Sequence, residues 1–123
     1  MLIALVKADD SNHNRVIKLF KKHNKAGLFI SQLCIAEAAT VLSYRLSQNA
    51  ARLFLENIRK RNIQELLPSL ESIRSTDKIF LSQSANGTSW IDCHNVTLMQ
   101  LEKLDAIASF DKFYSKFKFT IIK

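Results

Sequence analysis

The sequence predicts a single α/β domain in which a central, mainly parallel β-sheet is flanked by helices. Short apolar runs alternate with longer amphipathic segments along the 123 residues, as strands and helices do around a parallel sheet. Only two glycines and one proline are present, so the elements must be joined by short connections. The length suits one hydrophobic core, and we therefore expect one domain over residues 1–123.

The first elements can be assigned in chain order. Residues 9–11 supply N-cap oxygens for a helix, and Gly27 ends it. The short apolar run at residues 28–30 is typical of a buried strand. The segment rich in Ala and Leu at residues 33–46 then predicts a buried helix.

The later elements follow from the same signals of apolar periodicity, capping and turn residues. Arg59-Lys60-Arg61 is a basic helix end, Pro68 ends a strand, and Asn86-Gly87 stops a helix. In order, we predict a helix through Phe54 and Ile58, strand 63–67, helix 69–85, a helix from Ser89 to about residue 104, strand 106–110, and a terminal strand in which Phe117, Phe119 and Ile121 share a buried face.

Composition narrows the classes of partner. Lys and Arg number 18 against 11 Asp and Glu, a formal net charge of +7, which favours contact with nucleic acid, although an acidic protein would satisfy the same surplus. Two cysteines are too few for a disulfide-stapled secreted scaffold, so we expect a cytoplasmic location. No segment approaches the roughly 20 apolar residues of a membrane helix, and no membrane partner is expected.

Three acids are candidate metal ligands: Glu37, Asp92 and Asp111. Each alone has an ordinary explanation, as an exposed helix position, a capping box with Ser89, and a turn cap respectively. Their order favours a shared site, because Asp111 and Glu37 follow predicted strands and Asp92 opens the helix before the Asp111 strand. Parallel sheets bind ligands beyond the carboxyl ends of their strands. Clustered carboxylates persist best when a hard cation such as Mg²⁺ or Mn²⁺ neutralises them, and such sites hydrolyse phosphodiesters.

These residues resemble the PIN-domain family, and within it the VapC-type toxin ribonucleases of bacterial toxin–antitoxin pairs. The resemblance runs along nearly the whole chain, with three motifs in the family's order and spacing. They are Ile30-Ser31-x-x-x-x-Ala36-Glu37, Ser89-Trp90-Ile91-Asp92-Cys93 and Ala108-Ser109-Phe110-Asp111-Lys112-x-Tyr114.

The resemblance implies a three-layer PIN-like fold and an endoribonuclease that depends on Mg²⁺ or Mn²⁺ and hydrolyses RNA. It implies that Glu37, Asp92 and Asp111 are the catalytic metal ligands. Ser31 and Ser109 match positions that support the site. A small antitoxin protein and a homodimer are also implied. Lys112 stands next to Asp111, and that position alone makes it our candidate for a contact with substrate phosphate.

One feature of the family is missing. The family has a first Asp in an Asp-x-Asn motif at the end of its opening strand, whereas residues 1–6 here resemble the stretch just after that motif. We therefore expect an N-terminally incomplete domain with a truncated first strand and one carboxylate ligand absent. The alternative function is a catalytically impaired PIN-fold module that binds RNA or protein.

Overall fold

The computed structural model describes residues 28–61, 63–104, 106–109 and 112–122. The chain divides into two compact units, Met1–Leu66 and Leu67–Lys123. The predicted first helix and the predicted truncation of the opening strand concern residues 1–27, which lie outside the described residues, as does Asp111.

The described part of the first unit is a strand, two helices and a second strand. The elements are β1 (Phe29–Ser31), α1 (Gln32–Arg45), α2 (Gln48–Lys60) and β2 (Gln64–Leu66). The strands β1 and β2 pair in parallel, with Ile30 opposite Glu65. Parallel neighbours need a crossover connection, and the two helices provide it. The strands and helices predicted for this part of the chain are thus confirmed.

The two helices of the first unit pack through one apolar seam. Its buried residues recur every three or four positions, as one helix face requires. They are Ile35, Ala38 and Leu42 on α1, and Ala51, Phe54 and Ile58 on α2. The opposite face of α1 is exposed at Glu37, Thr40 and Tyr44, so the prediction of a buried helix holds for one face only.

The second unit carries the remaining elements. They are α3 (Leu70–Leu81), α4 (Trp90–Leu101), β3 (Ala106–Ala108), a 3₁₀ helix (Lys112–Lys116) and β4 (Thr120–Ile122). The strands β3 and β4 pair in parallel, with Ile107 opposite Ile121. Both strand pairs of the described residues are therefore parallel, as predicted. None of the described helices combines the length and hydropathy needed to cross a membrane.

Two predicted helices end earlier in the structure than the sequence predicts. Helix α3 ends at Leu81 rather than residue 85, because the side chains of Ser82 and Gln83 both donate hydrogen bonds to the carbonyl of Ile79 and compete with further helical bonds. Helix α4 ends at Leu101, and Lys103 then adopts a left-handed φ of 53°.

The predicted terminal strand begins only at Thr120, although the predicted alternation is present, since Phe117, Phe119 and Ile121 are partly buried while Lys118 and Thr120 are exposed. Residues 117–119 form bends rather than strand. The Phe117 ring packs against two other rings, with centroids 5.4 Å from Phe113 and 6.3 Å from Phe119. Phe117 and Phe119 therefore lie on the same partly buried side, as predicted, but this part of the chain does not pair as a strand.

Helices α3 and α4 meet through buried polar side chains. Ser72 Oγ lies 3.1 Å from Nε2 of His94, and Thr76 Oγ1 lies 3.0 Å from Thr97 Oγ1. His94 is 0% exposed and stacks on Trp90, with ring centroids 5.3 Å apart. Within the described part of the chain, Nδ1 of His94 is buried without a hydrogen-bond partner. The imidazole is thus held in a site suited to its neutral form.

Burial of His94 predicts a stability that depends on pH. Burial lowers the pKa of His94 below its usual 6.5, so between these two pKa values the unfolded chain binds the proton and the folded chain does not. We expect the free energy of unfolding to be fully retained above pH 6.5 and to fall as the pH drops towards the folded pKa, by at most about 1.4 kcal/mol per pH unit from this residue. Urea denaturation at several pH values between 7.5 and 5 measures this slope.

The matched variant is His94→Gln, which has no titrating group at this position. Its absolute stability is not the readout, because the substitution also removes the stacking on Trp90. The expected result is a shallower loss of stability with falling pH than in the wild type. Equal slopes in the two proteins would contradict the assignment to His94.

Candidate functional site

Ser31 and Glu37 belong to the junction of β1 and α1. Ser31 is the last residue of β1, is buried, and caps α1 by accepting a hydrogen bond from the Leu33 N–H at 3.2 Å. Glu37 follows in the second turn of α1 and is exposed. Capping by Ser31 fixes where α1 begins, and so fixes where the helix presents Glu37. Because Glu37 is exposed, its carboxylate is accessible to a cation in solution.

Asp92 lies in the first turn of α4. Ser89 caps this helix, its Oγ accepting from the N–H groups of Ile91 at 3.1 Å and Asp92 at 3.3 Å. The positive end of the helix dipole stabilises a carboxylate at this position. The Oδ1 atom of Asp92 accepts a hydrogen bond from the Tyr114 hydroxyl at 2.7 Å. Asp92 therefore makes a tertiary contact with the 3₁₀ helix, which a purely local capping residue would not need.

Tyr114 and Asn95 are site residues that the sequence patterns did not single out. Tyr114 is 3% exposed, and its hydroxyl accepts a hydrogen bond from Nδ2 of Asn95 at 3.0 Å. Asn95 stands three residues after Asp92 in α4, on the same helix face. That spacing is the signal that could have identified Asn95. For Tyr114, the signal in the sequence was its place in the Asp111-Lys112-x-Tyr114 motif.

Two other predicted residues lie near the start of the 3₁₀ helix. Ser109 directly follows β3 and is buried, whereas Lys112 opens the 3₁₀ helix and is exposed. Asp111 stands between them in sequence and lies outside the described residues. The second unit thus brings Asp92 to Tyr114, within the motif that also contains Ser109 and Lys112.

The neighbours of Asp92 in α4 are neutral groups. Burial raises the pKa of the Cys93 thiol and Asp92 raises it further, while Lys116 lowers it. Burial also lowers the pKa of His94. Both effects favour the uncharged side chains, and the raised pKa of Cys93 disfavours its thiolate as a ligand for a soft metal. The carboxylate of Asp92 is a hard oxygen donor, which suits Mg²⁺ or Mn²⁺.

The structure does not test whether the three acids meet. Glu37 belongs to the first unit and Asp92 to the second, and Asp111 lies outside the described residues. Within the described ranges, no three His, Cys, Asp or Glu side chains are grouped closely enough to hold a metal ion. A shared metal site of Glu37, Asp92 and Asp111 therefore stays a prediction.

Comparison with known proteins supports the fold. The structure is similar to the crystal structure of VapC20 from Mycobacterium tuberculosis, a toxin that cleaves the sarcin–ricin loop. The TM-score is 0.81 at 16% sequence identity, covering 94% of this chain and 88% of that chain. At this identity the similarity shows the fold alone. No curated protein matches the sequence.

A family model also matches the sequence. Residues 1–119 match the PIN domain, which is nearly the whole chain. Together with the structural similarity, this match confirms the predicted three-layer α/β fold of PIN type. The chain belongs to the PIN-domain family.

Proposed function

We propose that this PIN-domain protein is a divalent-metal-dependent endoribonuclease that hydrolyses RNA phosphodiester bonds as the toxin of a toxin–antitoxin pair. The observation that carries the proposal is the tertiary hydrogen bond from Tyr114 to Asp92, which ties a predicted metal ligand to the motif that contains Asp111. The similar VapC20 structure is that of a toxin that cleaves the sarcin–ricin loop, and this likeness supports the proposed class of substrate.

Glu37, Asp92 and Asp111 would hold Mg²⁺ or Mn²⁺ through hard carboxylate oxygens. Asp92 meets the requirement for an ionised ligand, because Tyr114 and the helix dipole both favour its charged form. Asp111 stands three residues before Tyr114 in the sequence, and three residues of chain span at most about 11 Å. When bound, such a cation activates water for attack on phosphorus and stabilises the leaving oxygen.

The remaining predicted residues would support the site or bind the substrate. Ser31 and Ser109 place buried hydroxyl groups at the carboxyl ends of β1 and β3, where ligands of parallel sheets bind. Lys112 is exposed beside Asp111 in sequence and would contact an RNA phosphate. The net charge of +7 strengthens attraction to RNA. We further propose a cytoplasmic location, an inhibitory antitoxin protein and a homodimer.

The first test is RNA cleavage with Mn²⁺ by the wild type and by Asp92→Asn. Loss of the carboxylate charge should weaken cleavage by at least about 100-fold, because even groups that only support a metal ligand contribute up to that factor. Gel analysis of a structured RNA, including a sarcin–ricin-type stem-loop, measures the rate. The matched control is Asp77→Asn, since Asp77 is another aspartate that accepts a side-chain hydrogen bond, from Trp90 at 2.9 Å.

The outcomes separate the two candidate functions. Cleavage lost in Asp92→Asn and retained in Asp77→Asn supports the nuclease. Equal cleavage by the wild type and Asp92→Asn would remove Asp92 from the site. A wild type that binds RNA with Mn²⁺ present but cuts none would favour the alternative, a catalytically impaired module that binds RNA.

The second test concerns the proposed phosphate contact of Lys112. In an Asp92→Asn background, chosen because we expect it to cleave RNA at least about 100-fold more slowly, Lys112→Ala should weaken binding of single-stranded RNA. It should also reduce the slope of log affinity against log salt by about 0.7. Fluorescence anisotropy at several salt concentrations measures both. The control is Lys78→Ala, which removes another exposed lysine, on α3. Identical salt slopes in the two variants would exclude a specific role for Lys112.

A further inference from the structure

A chain of hydrogen bonds runs from Asn95 through Tyr114 to Asp92. The amide Nδ2 of Asn95 can only donate, and an ionised carboxylate can only accept. The Tyr114 hydroxyl between them therefore accepts at 3.0 Å and donates at 2.7 Å. Donation from Asn95 polarises the hydroxyl and strengthens the bond that it gives to Asp92. The hydroxyl proton therefore points towards Asp92 in the contacts that the described residues make.

The Tyr114 ring is held firmly enough to orient that hydroxyl. Tyr114 is buried, and its ring packs edge-on against Phe113 with centroids 5.3 Å apart. Burial and ring packing limit the rotation of the side chain, so the hydroxyl has little freedom to leave Asp92. The ring alone would account for packing, but packing does not account for a charge-assisted hydrogen bond to a carboxylate at the start of α4.

We propose that Tyr114, supported by Asn95, positions the Asp92 carboxylate for the divalent cation. The inference rests on the proposed function, in which Asp92 is a metal ligand. A carboxylate that is free to rotate loses that freedom when it binds an ion, and a hydrogen bond already formed reduces the loss. The bond also favours the ionised state that a metal ligand must have. Tyr114 is a positioning residue and does not itself touch the substrate.

The position of Tyr114 also links two parts of the proposed site. Its 3₁₀ helix begins with Lys112, the proposed phosphate contact, and its hydroxyl reaches Asp92 on α4. One short element therefore carries a substrate contact and orients a metal ligand. A movement of this helix would alter both together.

The test is a titration of the full chain with Mn²⁺, in which the electron paramagnetic resonance signal of the free ion measures binding. Tyr114→Phe removes the hydroxyl and keeps the ring. We expect its Mn²⁺ affinity to fall by about 10- to 100-fold, the range found when partners of metal ligands are removed. RNA cleavage should fall at low Mn²⁺ and recover at saturating Mn²⁺. The matched control is Tyr44→Phe, since Tyr44 is 86% exposed on α1, and its Mn²⁺ affinity should equal that of the wild type.

The possible results are distinguishable. Equal Mn²⁺ affinity in the wild type and in folded Tyr114→Phe overturns the positioning role and leaves the proposed function intact. A wild type that binds no Mn²⁺ overturns both. If Tyr114→Phe does not fold, Asn95→Ala is the deciding variant. It keeps the Tyr114 hydroxyl and removes the side-chain amide that donates a hydrogen bond to it. A several-fold weaker Mn²⁺ affinity in Asn95→Ala supports the positioning role, and an unchanged affinity overturns it.

Discussion

Two parallel strands cannot be joined by a tight hairpin, and this constraint arranges both units of the protein. In the first unit α1 and α2 return the chain to β2, and in the second the segment with the 3₁₀ helix returns it to β4. Each crossover starts at the carboxyl end of a strand, and each has a buried serine there, with Ser31 as the last residue of β1 and Ser109 directly after β3. Polar groups gather at these points because backbone leaving a sheet needs new hydrogen-bond partners. The same points are where parallel sheets bind ligands.

In α4, Asp92 carries charge while its neighbours Cys93 and His94 are neutral. Burial favours the neutral forms of Cys93 and His94, whereas Asp92 is paired with the Tyr114 hydroxyl at the positive end of the helix. A single charged carboxylate beside neutral neighbours suits a hard divalent cation better than a soft one. The polar packing of α3 against α4 holds the helix that carries this carboxylate. Stability of the second unit and orientation of Asp92 therefore depend on the same helix.

Sequence patterns could predict elements whose apolar residues recur at regular spacing and whose capping residue is adjacent in the sequence. Helix α4 is an example, since Ser89 caps it as expected. The packing of α3 could not be predicted this way, because it buries Ser72 and Thr76 and leaves Leu70 63% exposed, the reverse of hydrophobic periodicity. In the site, Asp92 was predictable from its motif. Its partner Tyr114 is 22 residues away, and no spacing rule connects residues at that distance. Whether Asp111 and Glu37 join Asp92 stays a prediction.

Glu37, Asp92 and Asp111 are proposed to share one divalent cation. The most direct measurement is the number and affinity of Mn²⁺ ions bound by the wild type, Glu37→Gln, Asp92→Asn and Asp111→Asn, with Glu56→Gln as a control because Glu56 is an exposed glutamate of α2. We predict one ion per wild-type chain and an affinity at least about tenfold weaker in each of the three variants, with no change in the control. Unchanged Mn²⁺ affinity in any one of the three variants would contradict a shared site.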